Sequence, residues 1–232
     1  MRKIINIAPE GYKIIFSVLV VWIITYLLSI YFSYSWIGLL SLYTFYLLLI
    51  ICYFFRDPIR KIISNEQNFL SPADGRIVSI KDWEDPDVGK STKIAIFLSF
   101  LNVHRQWIPL NAKVLDTFYN PGRFFGAFKN KSSEKNEQTS IIFSDSNENI
   151  FKIKQIAGFV ARRIVNHMNP DLNVSQGEKL GFIKFGSRIE IIVPRNFDIK
   201  VKKGMKVKGC KTIIGNFKQL IHPALGVGEG KK

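Results

Sequence analysis

The chain has 232 residues, 33 Lys and Arg against 18 Asp and Glu, a formal net charge of +15, and 47% hydrophobic residues. This composition excludes a disordered tail, a collagen-like repeat and a disulfide scaffold. Two cysteines cannot build a cysteine-rich zinc module, and no metal-ligand spacing occurs along the sequence.

From Ile14 to Phe55 there is no Asp, Glu, Lys or Arg. One spanning helix needs about 20 apolar residues, so the run predicts two. They are Ile14–Tyr31 and Trp36–Phe55, joined by Phe32-Ser33-Tyr34-Ser35, a short re-entry turn among aromatics that favour the membrane–water interface. A signal peptide is the competing reading of the first stretch. It lacks a small-residue cleavage site, and a second apolar run follows at once. Arg2, Lys3 and Lys13 precede the run, and Arg56, Arg60 and Lys61 follow it. The excess of basic flanks predicts that both ends face the cytoplasm. The organisation is therefore a cytoplasmic segment (1–13), a two-helix membrane hairpin (14–55) and a soluble domain (56–232). Such a basic domain, tethered to a bilayer, has the anionic leaflet as its expected partner. Nucleic acid is the usual alternative for this charge, but no motif supports it.

In the soluble part, Leu70-Ser71-Pro72-Ala73-Asp74-Gly75 reads as a loop, because Pro restricts one dihedral and Asp-Gly turns the chain. Arg76–Ile80 and Lys93–Ser99 read as strands, the second buried. Asn111–Tyr119 is another, ended by Asn120-Pro121-Gly122, and the polar stretch Lys129–Glu137 reads as a mobile or substrate-side loop. Phe151–Ile156 alternates, with Phe151 and Ile153 on one face. An amphipathic helix is expected near Ala157–Asn166. Gly181–Val193 reads as a hairpin around Gly186-Ser187, and Ile199, Val201, Met205 and Val207 alternate across Gly204. The fold class is mostly β (a β-rich α+β domain) behind an N-terminal transmembrane helical hairpin.

Of the three histidines, His104 lies just after a buried strand among polar residues. That position suits a general base near neutral pH, and equally a structural or exposed histidine. His167 reads as a helix-end residue and His222 as a tail residue. Asp74 and Gly186-Ser187 read on their own as turns. There is no nucleophile elbow, phosphate-binding loop or dinucleotide fingerprint.

Taken in order, the segments resemble the phosphatidylserine decarboxylase family in its short bacterial form. Leu70–Gly75 resembles the family's aspartate loop, and Asn102-Val103-His104 with Ile108-Pro109 its histidine segment. Tyr119-Asn120-Pro121-Gly122 and Asn136-Glu137 are similar to two further landmarks. Lys154-Gln155-Ile156-Ala157-Gly158 and Ala161-Arg162-Arg163-Ile164-Val165 resemble a central block, and Gly181–Arg188 the block holding the self-cleavage site. Phe185-Gly186-Ser187-Arg188 stands where longer members carry Leu-Gly-Ser-Thr. Trp107 stands where longer members have a second histidine.

The resemblance implies a proenzyme that cuts itself at Gly186–Ser187 into a β chain (1–186) and an α chain (187–232), which stay associated. Ser187 would attack the Gly186 carbonyl, and the ester would eliminate. Loss of ammonia would then leave a pyruvoyl group that forms a Schiff base with phosphatidylserine and releases CO2, giving phosphatidylethanolamine. Decarboxylation needs an electron sink, and the sequence has no recognisable pyridoxal phosphate site. Glycine before the serine leaves the attack unhindered. A serine nucleophile needs a base and something to orient that base, which the resemblance assigns to His104 and Asp74. Arg105 and Arg123 are candidates for holding the substrate phosphate or carboxylate. No metal is implied, a homo-oligomer is left open, and the location implied is a bacterial inner membrane with the domain in the cytoplasm. Two alternatives stand beside this reading: a non-enzymatic membrane-tethered β module that binds anionic lipid, and a decarboxylase of another serine-headgroup lipid.

Overall fold

The computed structural model describes residues 5–32, 34–62, 68–122, 136–158, 163–184 and 187–218. After a short strand β1 (Ile5–Ile7) and a 3₁₀ turn (Pro9–Gly11) come helices α1 (Tyr12–Phe32) and α2 (Ser35–Phe54). The helices have 21 and 20 residues. At 1.5 Å per residue each is about 30 Å long, the thickness of a bilayer's hydrocarbon core. Within α2 the buried residues are Ile37, Ser41, Thr44, Leu48, Ile51 and Phe54, spaced three or four apart. This stripe faces α1. The rest of the hairpin exposes Leu, Ile, Val and Tyr, an apolar surface compatible with membrane association. Thr25 and Thr44 meet across the helix pair, Oγ1 to Oγ1 at 3.0 Å.

Fifteen further strands follow among the described residues: β2 (Arg56–Pro58), β3 (Phe69–Leu70), β4 (Gly75–Asp85), β5 (Gly89–Leu98), β6 (Arg105–Trp107), β7 (Ala112–Asn120), β8 (Gln138–Ser144), β9 (Ile150–Ala157), β10 (Ile164–Asn166), β11 (Asn173–Val174), β12 (Lys179–Ile183), β13 (Ser187–Pro194), β14 (Phe197–Ile199), β15 (Lys206–Val207) and β16 (Ile213–Phe217). β1 and β2 pair antiparallel, so the chain enters and leaves the hairpin at the same end. Ala8, Ile51, Phe54, Phe55 and Phe182 pack together there and seat the hairpin on the domain.

The main sheet has the order β11-β7-β8-β9-β13-β5-β4-β15; two three-stranded sheets, β10-β12-β6 and β14-β16-β3, accompany it. Its inward face carries Ile94, Ile96, Ile141, Ile153, Ile189, Ile191 and Val193, all buried in one core. The core is closed by Phe69, Phe143, Phe151 and Phe197. Phe143 stacks on Phe151 at 5.0 Å and Phe69 meets Phe151 edge-on at 5.1 Å.

Two sequence expectations fail. Gly181–Val193 is not a hairpin: β12 pairs with β10 and β6, whereas β13 lies between β9 and β5. Both runs are apolar on alternate residues. Local alternation reveals a strand but not its partners. Nor does the segment near Ala157–Asn166 supply the expected amphipathic helix. Ala157 ends β9, and Ile164–Asn166 form β10 against Ile183, Phe182 and Gly181. Here sheet pairing of β-branched residues overrides the helical spacing. Residues 159–162, the middle of that segment, lie outside the described residues, as do residues 129–135 of the expected loop. Asn136 and Glu137 are buried: Asn136 Nδ2 donates to Ala157 O at 2.7 Å, and Glu137 Oε1 accepts from the Tyr119 hydroxyl at 3.2 Å.

Candidate active site

His104 is the last residue before β6. The loop leading to it is held by Asn102, whose Oδ1 accepts from the Ser99 amide at 2.9 Å and from the Ser99 hydroxyl at 2.7 Å. The Asn102 carbonyl lies 3.0 Å from His104 Nδ1. A carbonyl only accepts, so Nδ1 carries the proton and Nε2 the lone pair. Nε2 is buried and has no hydrogen-bond partner among the described residues. The Phe54 ring lies over the imidazole at 4.3 Å between centroids. Burial pushes the imidazole down to about 4, against a partial opposing pull from the Asn102 bond and the Asp74 charge. The ring is therefore neutral at pH 7, a base with an available lone pair.

Ser187 opens β13, with Leu98 of β5 on one side and Ala157 of β9 on the other. Its Oγ is fully buried and also lacks a hydrogen-bond partner among the described residues. A buried polar atom left unpaired costs about 1–3 kcal/mol, so two such atoms call for an explanation. The Ile183 amide donates to the His104 carbonyl at 3.3 Å, so the chain runs past His104 four residues before Ser187. Gly186 and Arg123 lie outside the described residues.

Asp74 faces Arg60 in a two-point pair, Oδ1–Nη1 at 2.5 Å and Oδ2–Nη2 at 2.7 Å, and accepts from the Gly209 amide at 2.9 Å. The partner that orients His104 through Nδ1 is thus the Asn102 carbonyl, and Asp74 reaches the imidazole through its charge. Trp107, in the place of a second histidine, lies under the Arg60 guanidinium at 4.3 Å.

Arg105 does not suit the headgroup role expected from sequence. Its side chain is 1% exposed and bonds to both Glu10 oxygens at 2.7 and 2.8 Å and to Asp57 at 3.1 Å. Two carboxylates, one from each end of the hairpin, already occupy the guanidinium. Lys179 and His167 add outer partners to Asp57 and Glu10. Sequence reading missed Phe54, Asn102 as a ligand of His104, and this three-part clamp. The only early signal was Glu10, the lone acid before the apolar run.

Residues 47–215 match the family model described as phosphatidylserine decarboxylase. The chain belongs to the phosphatidylserine decarboxylase family. Among its relatives, a phosphatidylserine decarboxylase proenzyme of Prosthecochloris aestuarii is 42% identical over 163 residues, 70% of this chain and 75% of the relative. Proteins of the same name from Ehrlichia ruminantium (strain Welgevonden) and Wolbachia pipientis wMel are 41% and 39% identical, over 95% and 91% of both chains. Family membership makes the chain an enzyme, a decarboxylating lyase of phospholipid synthesis.

Proposed function

We propose that the chain is made as a proenzyme that cuts itself between Gly186 and Ser187, and that the resulting enzyme converts phosphatidylserine to phosphatidylethanolamine. The observation that carries this reading is the pair of unpartnered buried atoms, Ser187 Oγ and His104 Nε2, on neighbouring runs of chain. With its Nδ1 proton held by Asn102, His104 can take the hydroxyl proton as Oγ attacks the Gly186 carbonyl. The Phe54 ring and the packed sheet exclude water from this step.

The buried hydroxyl at position 187, with no hydrogen-bond partner among the described residues, fits the origin of a pyruvoyl group. When present, that group supplies a carbonyl as the electron sink for loss of CO2. His104 then returns a proton to the substrate Cα, since its neutral imidazole can cycle between the two forms. Asp74 acts at a distance, through its charge and by tying Arg60 and the Gly209 amide together. The exposed apolar helices cross a membrane, both ends emerge on one side, and basic Lys13, Arg56 and Lys61 assign that side to the cytoplasm.

Intact-mass spectrometry of the purified protein tests the reading. The expected result is two species divided between Gly186 and Ser187, with the smaller reacting with a carbonyl probe. Ser187→Ala and His104→Ala should stay whole. Cleavage at the same bond in folded Ser187→Ala would refute the assignment.

A further inference from the structure

The sequence offered Arg105 and Arg123 for the anionic headgroup. Arg105 is occupied by Glu10 and Asp57, which leaves the headgroup without a ligand among the described residues of that pair. A cavity of about 650 Å³ lies next to the catalytic loop, lined by Asp74, Ser99, Asn102, Thr212 and the basic residues Arg76, Lys206, Lys208 and Lys211. Asn102 is the residue whose carbonyl holds His104, and Phe97, also in the lining, precedes the Leu98 that pairs with Ser187.

The charge balance of this cavity is one-sided. Its one carboxylate, Asp74, is neutralised by Arg60. Among the described residues no carboxylate pairs with Arg76, Lys206, Lys208 or Lys211. Lys206 and Arg76 even stand directly opposite each other in the β15–β4 pair, an arrangement of like charges that destabilises a sheet. The turn carrying Lys208 and Lys211 is nonetheless firmly built. Gly209 N donates to Asp74 and Cys210 N to Ser71 O, Cys210 takes a left-handed φ of 59°, and Lys208 N donates to Thr212 Oγ1. Four exposed basic residues on a well-built backbone thus line one opening, with no carboxylate paired to them among the described residues.

The opening also lies where a lipid headgroup would arrive. Ser99 and Asn102 flank Phe100 and Leu101, which are 41% and 68% exposed. Phe100 packs on Phe54 at the last turn of α2, and Arg56, just past that helix, donates to the Leu101 carbonyl at 2.5 Å.

We propose that this cavity is the headgroup subsite: Lys208 and Lys211, with Lys206 and Arg76 behind them, bind the phosphodiester of the substrate lipid and hold its serine beside Ser187 and His104. The inference rests on the decarboxylase reading above. The subsite binds the substrate before and during chemistry alike, so its loss raises KM and leaves kcat in place.

The test uses the full chain in neutral detergent micelles containing phosphatidylserine. The double variant Lys208→Gln/Lys211→Gln should cleave itself as the wild type does. Its KM should rise about tenfold or more, the factor that one charge-assisted hydrogen bond is worth, with kcat within about twofold. Lys208→Arg/Lys211→Arg should remain near wild type. A second readout is independent of turnover: equilibrium binding of phosphatidylserine to the uncut Ser187→Ala protein should weaken by the same factor when the two glutamines are added. Phosphatidylglycerol should compete in that assay and inorganic phosphate should not, which separates a lipid phosphodiester from a free phosphate site. Unchanged KM and unchanged binding in a variant that cleaves normally would overturn the subsite and leave the enzyme reading intact. A wild-type chain that never cleaves, yet binds the lipid through these lysines, would overturn the enzyme reading and keep the subsite.

Discussion

Phe54→Ala tests the buried state of His104 directly. The ring is fully buried and its centroid lies 4.3 Å from that of the imidazole. In the intact protein, burial holds the imidazole at about 4, against an ordinary value of 6.5. At about 1.4 kcal/mol per pH unit, that bias toward the neutral form is of the order of 3 kcal/mol. Its sign follows from linkage. The folded-state value is depressed, so as pH falls the unfolded chain takes up the proton first. The stabilisation is complete above pH 6.5 and is lost between there and about 4. With His104 as the base, the same number governs self-cleavage: the rate should be level from about pH 8 to about pH 5 and halve near pH 4. Removing the Phe54 ring admits water to the imidazole. The half-rate pH should rise toward 6.5, and stability should fall by about 3–5 kcal/mol for the emptied volume. The assay is a time course of cleavage by intact mass across that range, with melting curves to establish that the variant is folded. A wild-type midpoint near 6.5, or an unmoved midpoint in folded Phe54→Ala, would refute the argument.

Arg105→Ala strips both Glu10 and Asp57 of their buried partner, a change that costs about 3–5 kcal/mol. For a protein of this size the melting temperature should drop by about 6–20 °C, and a drop below about 3 °C would show that the clamp is not needed. Thr44→Val breaks the Thr25–Thr44 side-chain bond between the two helices. Such bonds in membranes average only about 0.6 kcal/mol, so the melting temperature should move by less than about 3 °C and cleavage should proceed at the wild-type rate.

The hairpin and the main strands were legible in the sequence because their signals are local. An uncharged run sized for two spans became α1 and α2 within two residues at each end, and the alternation of Phe151 and Ile153 became β9. Ile189, Ile191 and Val193 do share one inward face, as their spacing indicated. What could not be read was partnership. Whether β12 turns back onto β13 or joins β6 and β10 depends on partners as far away in the chain as Gln106 is from Gly181, and no local pattern encodes that. The site divides in the same way. His104, Asp74 and Ser187 are candidates through the motifs that carry them, whereas the Asn102 carbonyl beside the imidazole is backbone, with no side-chain signature. The misreading of Arg105 has a similar cause: a basic residue beside a candidate base suggests a ligand, and only the fold brings Glu10 and Asp57 from the two ends of the hairpin onto it.

Strand β13 begins at Ser187 and is hydrogen-bonded on both sides, from Ser187 to Leu98 through Pro194 to Ser91 on one edge and from Ser187 to Ala157 through Ile192 to Lys152 on the other. A cut just before it would turn the middle of a continuous sheet into a separate molecule. Before the cut, refolding is a search within one chain. Afterwards it is an encounter between two, subject to dilution, and the smaller piece has few contacts of its own with which to hold a strand. The proenzyme should therefore recover from denaturation at any concentration, whereas the matured protein should lose that ability. Under the proposed self-cleavage, folding must come first and cutting second, and the cut would make the order irreversible.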